Sequence, residues 1–113
     1  MIQPFTPIQI EGARNVPARA VLEHLGAYVK RDETYKPLDT SRHSVRLQIN
    51  YLQRDFRLIF TGEKFINELL PKDDANRGGG GAIDLVKHIT GMSFLPAVKV
   101  CLEVVETLSG VRR

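Results

Sequence analysis

The chain has 113 residues, a net charge of +3 and a hydrophobic fraction of 42%. That is one domain's worth of sequence and enough apolar material for its own core, which excludes a disordered tail and leaves little room for a second domain. The single cysteine, Cys101, excludes an internal disulfide and any zinc site built on three or four thiolates.

Residues 1–16 contain Pro4, Pro7 and Gly12 and read as an irregular arm, with one short strand at 8–10. A helix is predicted over 17–30. Pro17 suits its first position, and Val21, Leu22, Leu25 and Val29 recur at three- and four-residue intervals to form one apolar stripe. Residues 32–42 are polar and read as a loop. From Ser44 the period becomes two: Val45, Leu47, Ile49 and Tyr51 point one way, and Arg46, Gln48 and Asn50 the other.

A second strand is expected over 56–61 and a short third at 64–66. Residues 67–70 fit a brief strand or a turn of helix. A polar loop at 71–76 leads into Gly78-Gly79-Gly80-Gly81. A helix then starts near Ala82, with Leu85, Val86 and Ile89 on its apolar side and Gly91 as its left-handed cap. Ser93 opens the last helix, which runs to about Leu108. Its buried stripe is Val98, Cys101, Leu102 and Val105, widened by Val100, Val104 and Leu108. The fold class is therefore α+β: an antiparallel sheet of three to four strands, one helix before it and two after it, in a single domain over 17–110.

No segment has the order of a signal peptide, and the apolar run over 94–105 is too short to cross a bilayer, so a cytoplasmic protein with no membrane partner is expected. Catalytic patterns are thin. There is no nucleophile elbow, no spaced Cys–His pair and no His-Glu-x-x-His, and His24, His43 and His88 are scattered. Asp84, in the first turn of its helix, reads as a carboxylate that compensates the dipole or pairs with Arg77. Asp73-Asp74 reads as a solvated loop, His88 as a residue of a helix's exposed side, and Cys101 as a small core hydrophobe.

Two features point toward a polyanion. Between Lys36 and Arg57 stand Lys36, Arg42, Arg46, Arg54 and Arg57 against only Asp39 and Asp55, with Tyr35, Tyr51 and Phe56 nearby. Cations on a wet strand face, with aromatics nearby, suit phosphates and unpaired bases; the plain alternative is a solvated sheet face with some of those aromatics in the core. Arg77 followed by four glycines places backbone N–H groups at a helix start. They form either a phosphate cradle or a turn that lets the chain approach a neighbour closely. The run lacks the lysine and hydroxyl of a P-loop, so no nucleotide cofactor is expected.

The stretch from Arg77 through Gly78-Gly79-Gly80-Gly81-Ala82-Ile83-Asp84-Leu85-Val86, continuing over Gly91-Met92-Ser93-Phe94-Leu95-Pro96-Ala97-Val98, resembles the end of the N-terminal zinc-binding domain of bacterial DnaG-type primases. It is closest to the primase-like versions on plasmids, phages and mobile elements. Upstream, Val21-Leu22-Glu23-His24-Leu25-Gly26 and Tyr35-Lys36-Pro37-Leu38 follow in the family's order. The ligands do not: where the family places its first pair this chain has Leu38-Asp39-Thr40-Ser41-Arg42-His43, and no cysteine or histidine lies between Phe60 and Gly78.

The resemblance implies a zinc-free relative in which Leu58, Phe60, Phe65, Ile66 and Leu69 replace the metal's folding energy. It further implies a non-catalytic module that binds single-stranded DNA and works with a separate polymerase, primase or helicase. The template-facing residues it implies are Arg46, Arg57 and Lys64, with Arg77 and Gly78, Gly79, Gly80 and Gly81 at the edge. Arg42, Arg54 and Tyr51 complete the candidate nucleic-acid set. If the module serves instead only to dock on a replication enzyme, the docking surface is the outer stripe Val100, Val104 and Leu108.

Overall fold

The computed structural model describes residues 4–36 and 44–109, so the candidates Arg42 and His43 lie outside the described residues. The chain runs α1 (Pro7–Arg14), α2 (Ala18–Leu25), β1 (Tyr28–Arg31), β2 (Ser44–Tyr51), β3 (Arg54–Thr61), β4 (Lys64–Asn67), β5 (Gly78–Gly80), α3 (Gly81–Thr90) and α4 (Phe94–Ser109). The fold is α+β, but among the described residues it has five strands and four helices, not three or four strands and three helices. The sheet is an antiparallel meander in the order β1-β2-β3-β4-β5.

The helices form one layer and the sheet the other. Leu47 and Ile49 of β2, Phe56, Leu58 and Phe60 of β3 and Phe65 of β4 are buried with Val21 and Leu22 of α2, Leu85, Val86 and Ile89 of α3 and Ala97, Val98, Cys101 and Val104 of α4. The alternate residues of the strands make the other, outer face. Among the described residues no single helix is long and apolar enough to cross a membrane.

Several expectations fail for local reasons. The arm is a helix. Thr6 accepts from the Gln9 amide through Oγ1 at 3.1 Å, and its own amide donates to Gln9 Oε1 at 2.9 Å, while Pro7 takes the first helical position. The two prolines punctuate a capping box and do not break the chain. The second helix ends at Leu25, because Gly26 adopts the left-handed conformation (φ 75°) and its N–H turns back to Glu23 and Leu22. Tyr28 and Val29 then extend as β1 instead of prolonging the helix.

The glycine run is a strand. β5 pairs with β4 in the register Lys64↔Gly80, Phe65↔Gly79, Ile66↔Gly78. A Cβ on Gly78 would fall on the Phe65 carbonyl oxygen, and one on Gly79 would lie 2.9 Å from Asp84 Cβ. Gly81, with φ 86°, turns the strand directly into α3. Gly78 and Gly79 therefore serve close approach of β5 to β4 and to the first turn of α3, Gly81 serves the turn and lies against Arg14 of α1, and Gly80 has room for a side chain.

The last helix is rotated relative to the expected stripe. Val104 is buried, Val100 packs partly against the core, and Leu102 is half-buried. Val105 and Leu108 are exposed. The expected docking set loses Val104 to the core and keeps Leu108 at the surface.

Candidate nucleic-acid interface

The outer face is set by strand register. Tyr28 and Lys30 of β1 stand opposite Asn50 and Gln48 of β2, which in turn oppose Asp55 and Arg57 of β3. Glu68 continues beyond β4, its amide donating to the Arg57 carbonyl at 2.8 Å. Tyr28, Lys30, Gln48, Asn50, Asp55, Arg57 and Leu69 line a shallow groove of about 320 Å³. Tyr28 is 66% exposed and Leu69 47%. Asn50 Nδ2 donates to Asp55 Oδ1 at 2.9 Å, which fixes both side chains at the groove's end.

Tyr28, Lys30, Gln48, Asn50, Asp55 and Leu69 are absent from the sequence-derived site, which holds only Arg57 of the groove. The first two follow from the early end of α2, and the signal available was the Tyr-Val pair just after Gly26.

The expected cations divide. Arg57 and Lys64 stand on the outer face, Arg57 half-buried in the groove and Lys64 exposed opposite Gly80. Arg46 is also on that face, but it is engaged. Its Nε lies 3.6 Å from Asp32 Oδ2 and 3.5 Å from Glu68 Oε1, and its guanidinium stacks 4.6 Å above the Tyr35 ring. Asp32 is itself held by Thr34, whose hydroxyl and amide both donate to Oδ1. These bonds, and then Arg46, keep its carboxyl below the usual range. Across the face Lys30, Arg46, Arg57 and Lys64 are met by Asp32, Asp55 and Glu68, so it is nearly charge-balanced.

The remaining candidates lie elsewhere. Tyr51 shares the parity of Leu47 and Ile49 and packs partly on the core, so it does not present a ring to the outer face. Arg54 lies at the start of β3 with its guanidinium 5.5 Å from the Phe56 ring centre. Arg77 is half-buried, and its carbonyl accepts from the Asn67 amide at 2.7 Å.

The phosphate cradle is already filled. Gly80 N–H donates to Asp84 Oδ2 at 3.0 Å, and Gly81 N–H to the Glu63 carbonyl at 2.9 Å. The chain's own carboxylate thus occupies the positive end of α3, in the dipole-compensating role.

A second cluster holds the 68–77 loop. Asn67 is 3% exposed. Its Oδ1 accepts from the Leu69 amide at 3.0 Å and the Arg57 amide at 3.4 Å. The amide orientation is thereby assigned, and Nδ2 faces His88 Nε2 at 3.0 Å. That nitrogen must accept, which puts the imidazole proton on Nδ1.

The ring also sits edge-on to Phe56 and Phe65, with centroids 5.7 and 5.5 Å away. His88 is therefore a half-buried structural residue, not one on the exposed side of α3. Burial and then Arg54 push its pKa below the ordinary value, against the opposing pull of Asp74 and the Asn76 carbonyl.

Asn67 stands between Phe60 and Gly78, the stretch in which the resemblance implies a second ligand pair, whereas His88 comes from α3. Leu58, Phe60 and Phe65 are buried there as expected, whereas Ile66 and Leu69 are exposed and add little packing. Among the described residues no group of three or more His, Cys, Asp or Glu side chains is placed to hold a metal ion. Cys101 is buried, and burial raises its thiol pKa to about 11. No protein-family model matches the chain, and neither the curated proteins nor the solved structures hold a significant match to it.

Proposed function

We propose that this chain is a non-catalytic accessory module that binds single-stranded DNA on the outer face of its sheet, within a replication or priming complex of a mobile element. A separate polymerase, primase or helicase would supply the chemistry. The observation that carries the reading is the groove in which exposed Tyr28 stands beside Lys30, Gln48, Asn50 and Arg57. An exposed ring gives an unpaired base a stacking platform, the two cations meet phosphates, and the amides serve base edges without strong sequence preference. The resemblance of 77–98 to the primase zinc-binding domain supports the same reading. Here the Asn67–His88 cluster and the buried Phe56 and Phe65 stand in for the metal.

The test is fluorescence anisotropy with a labelled single-stranded oligonucleotide at two salt concentrations, using wild type and Lys30→Glu/Arg57→Glu. Micromolar, salt-sensitive binding lost in the variant is expected, and undetectable binding at low salt refutes the reading. Arg46 is not a suitable target, because reversing its charge would break its own contacts with Asp32 and Glu68. A second reading, docking on a replication enzyme without DNA contact, draws on Val105 and Leu108, one helical turn apart and exposed at the end of α4.

A further inference from the structure

The β2–β3 hairpin closes on Leu52 and Gln53, which have φ values of 50° and 67°. They are the central residues of a two-residue turn, since Tyr51 pairs with Arg54. Two consecutive positive φ values are the type I′ pattern, whose usual occupants are Asn, Asp and Gly. Leucine carries a steric penalty there. It also gains nothing from burial, being 77% exposed. An exposed leucine alone is unremarkable on a protein surface. One held in a left-handed turn, where asparagine would fit better and be more soluble, costs stability and gains none from burial. Such local misfits concentrate at functional sites.

The position indicates the use. Asn50 and Asp55 close the groove, and only the Tyr51–Arg54 pair separates them from the turn. The apolar tip thus stands roughly 7 Å, two residues of strand rise, beyond the last polar pair of the groove. Arg54 is exposed at its base. An aliphatic side chain on a rigid turn is a shape that proteins insert against or between base steps.

We propose that Leu52 is a wedge that abuts the terminal base pair where single-stranded DNA enters duplex, so that the domain prefers a single-strand–duplex junction over a plain single strand. Arg54, on the opposite face of β3 from the groove, meets the phosphate of the complementary strand where it parts from the first. The inference rests on the single-strand reading of the groove and adds a partner structure and a residue to it.

The experiment compares a labelled single-stranded oligonucleotide with partial duplexes carrying it as a 3′ or a 5′ tail, and with a blunt duplex. The proteins are wild type, Leu52→Asn and Leu52→Met. Wild type is expected to bind one tailed duplex about tenfold more tightly than the single strand. A 2-aminopurine in the junction pair should brighten as it unstacks. Leu52→Asn should lose that margin and the brightening, keep its single-strand affinity and melt about 4 °C higher, because its turn is relieved. Leu52→Met should retain the margin.

A wild type that binds strand and junction equally, or a margin that survives in Leu52→Asn, overturns the wedge and leaves the groove standing. Failure to bind any of the single-stranded or tailed DNAs overturns both readings. A blunt duplex bound as tightly as the junction overturns the wedge as well.

Discussion

Replacing Asn67 separates the structural work of the polar cluster from everything proposed for the outer face. In Asn67→Ala the Leu69 amide loses its 3.0 Å acceptor, and His88 Nε2 loses its 3.0 Å donor beside two phenyl rings. Two hydrogen bonds at about 1 kcal/mol each, plus the desolvation of a half-buried imidazole nitrogen left unpaired, amount to about 2–4 kcal/mol. Urea unfolding at pH 8 should show that loss as a lower midpoint at unchanged slope. A loss under about 1 kcal/mol would mean that water replaces Asn67 freely and that the cluster does not hold the loop.

The same pair fixes a pH dependence. His88 titrates below its ordinary value in the fold, so between the two values the unfolded chain binds more protons. Its stabilising share is complete above about pH 6.5 and falls as the pH drops from there toward the folded pKa. Asn67→Asp keeps an acceptor for Leu69 and presents a carboxylate to Nε2. That favours the imidazolium and lifts the pKa above the ordinary value. The sign then reverses: the contribution is full at low pH and fades as pH rises through the raised pKa. Following the His88 ring resonances by NMR across pH 4–9 in both proteins reads this directly. Titration of wild-type His88 at or above its ordinary value, or an unmoved pKa in Asn67→Asp, would refute the assigned orientation.

The glycine run offers a built-in control. Gly78→Ala must push β5 off the Phe65 carbonyl and should cost about 1–3 kcal/mol, whereas Gly80→Ala, with extended φ and only Lys64 Cγ at 3.8 Å, should cost less than about 0.5 kcal/mol by the same unfolding assay. Cys101, buried with its thiol pKa raised to about 11, should react with a thiol reagent at pH 8 only at the rate of opening, and fast labelling of the native protein would contradict its place in the core. Tyr28→Ala should weaken single-strand binding by about 1–3 kcal/mol with no loss of thermal stability. If Lys30 and Arg57 each meet a phosphate, affinity should fall about sevenfold from 50 to 200 mM salt.

What the sequence disclosed follows the strength of each periodic signal. β2 alternates without a break, and α3 repeats its apolar residues around a wide stripe, so both were legible to within a residue or two. The first helix was hidden because proline weighs as a breaker until its position relative to Thr6 and Gln9 is considered. β1 was hidden because Val29 continues the three- and four-residue spacing of α2 across Gly26, although a left-handed glycine ends that helix.

β5 carries almost no strand signal. Three glycines have no side chains to pack, and their conformation comes from the register with β4 and from the space they leave for the Phe65 carbonyl and Asp84. Losing β1 meant losing Tyr28 and Lys30, and with them one wall of the groove. Arg46 was visible as a cation on the right face, but its two carboxylate neighbours come from the loop after β1 and the end of β4, which only the sheet brings together.

That arrangement decides which physical term governs binding in the proposed reading. A face with Asp32, Asp55 and Glu68 among its cations cannot act as a broad basic patch. A cation–phosphate contact in water is worth about 1 kcal/mol at 4 Å, and neighbouring carboxylates offset part of it. A base stacked on an exposed ring is worth about 1–3 kcal/mol and is not screened by salt. Tyr28 then carries a share comparable to that of Lys30 and Arg57 together. Duplex DNA offers that ring no free base face, so near-balance of charge becomes a source of selectivity: it withholds the electrostatic attraction that any polyanion would share and leaves the part that only an unpaired strand can supply.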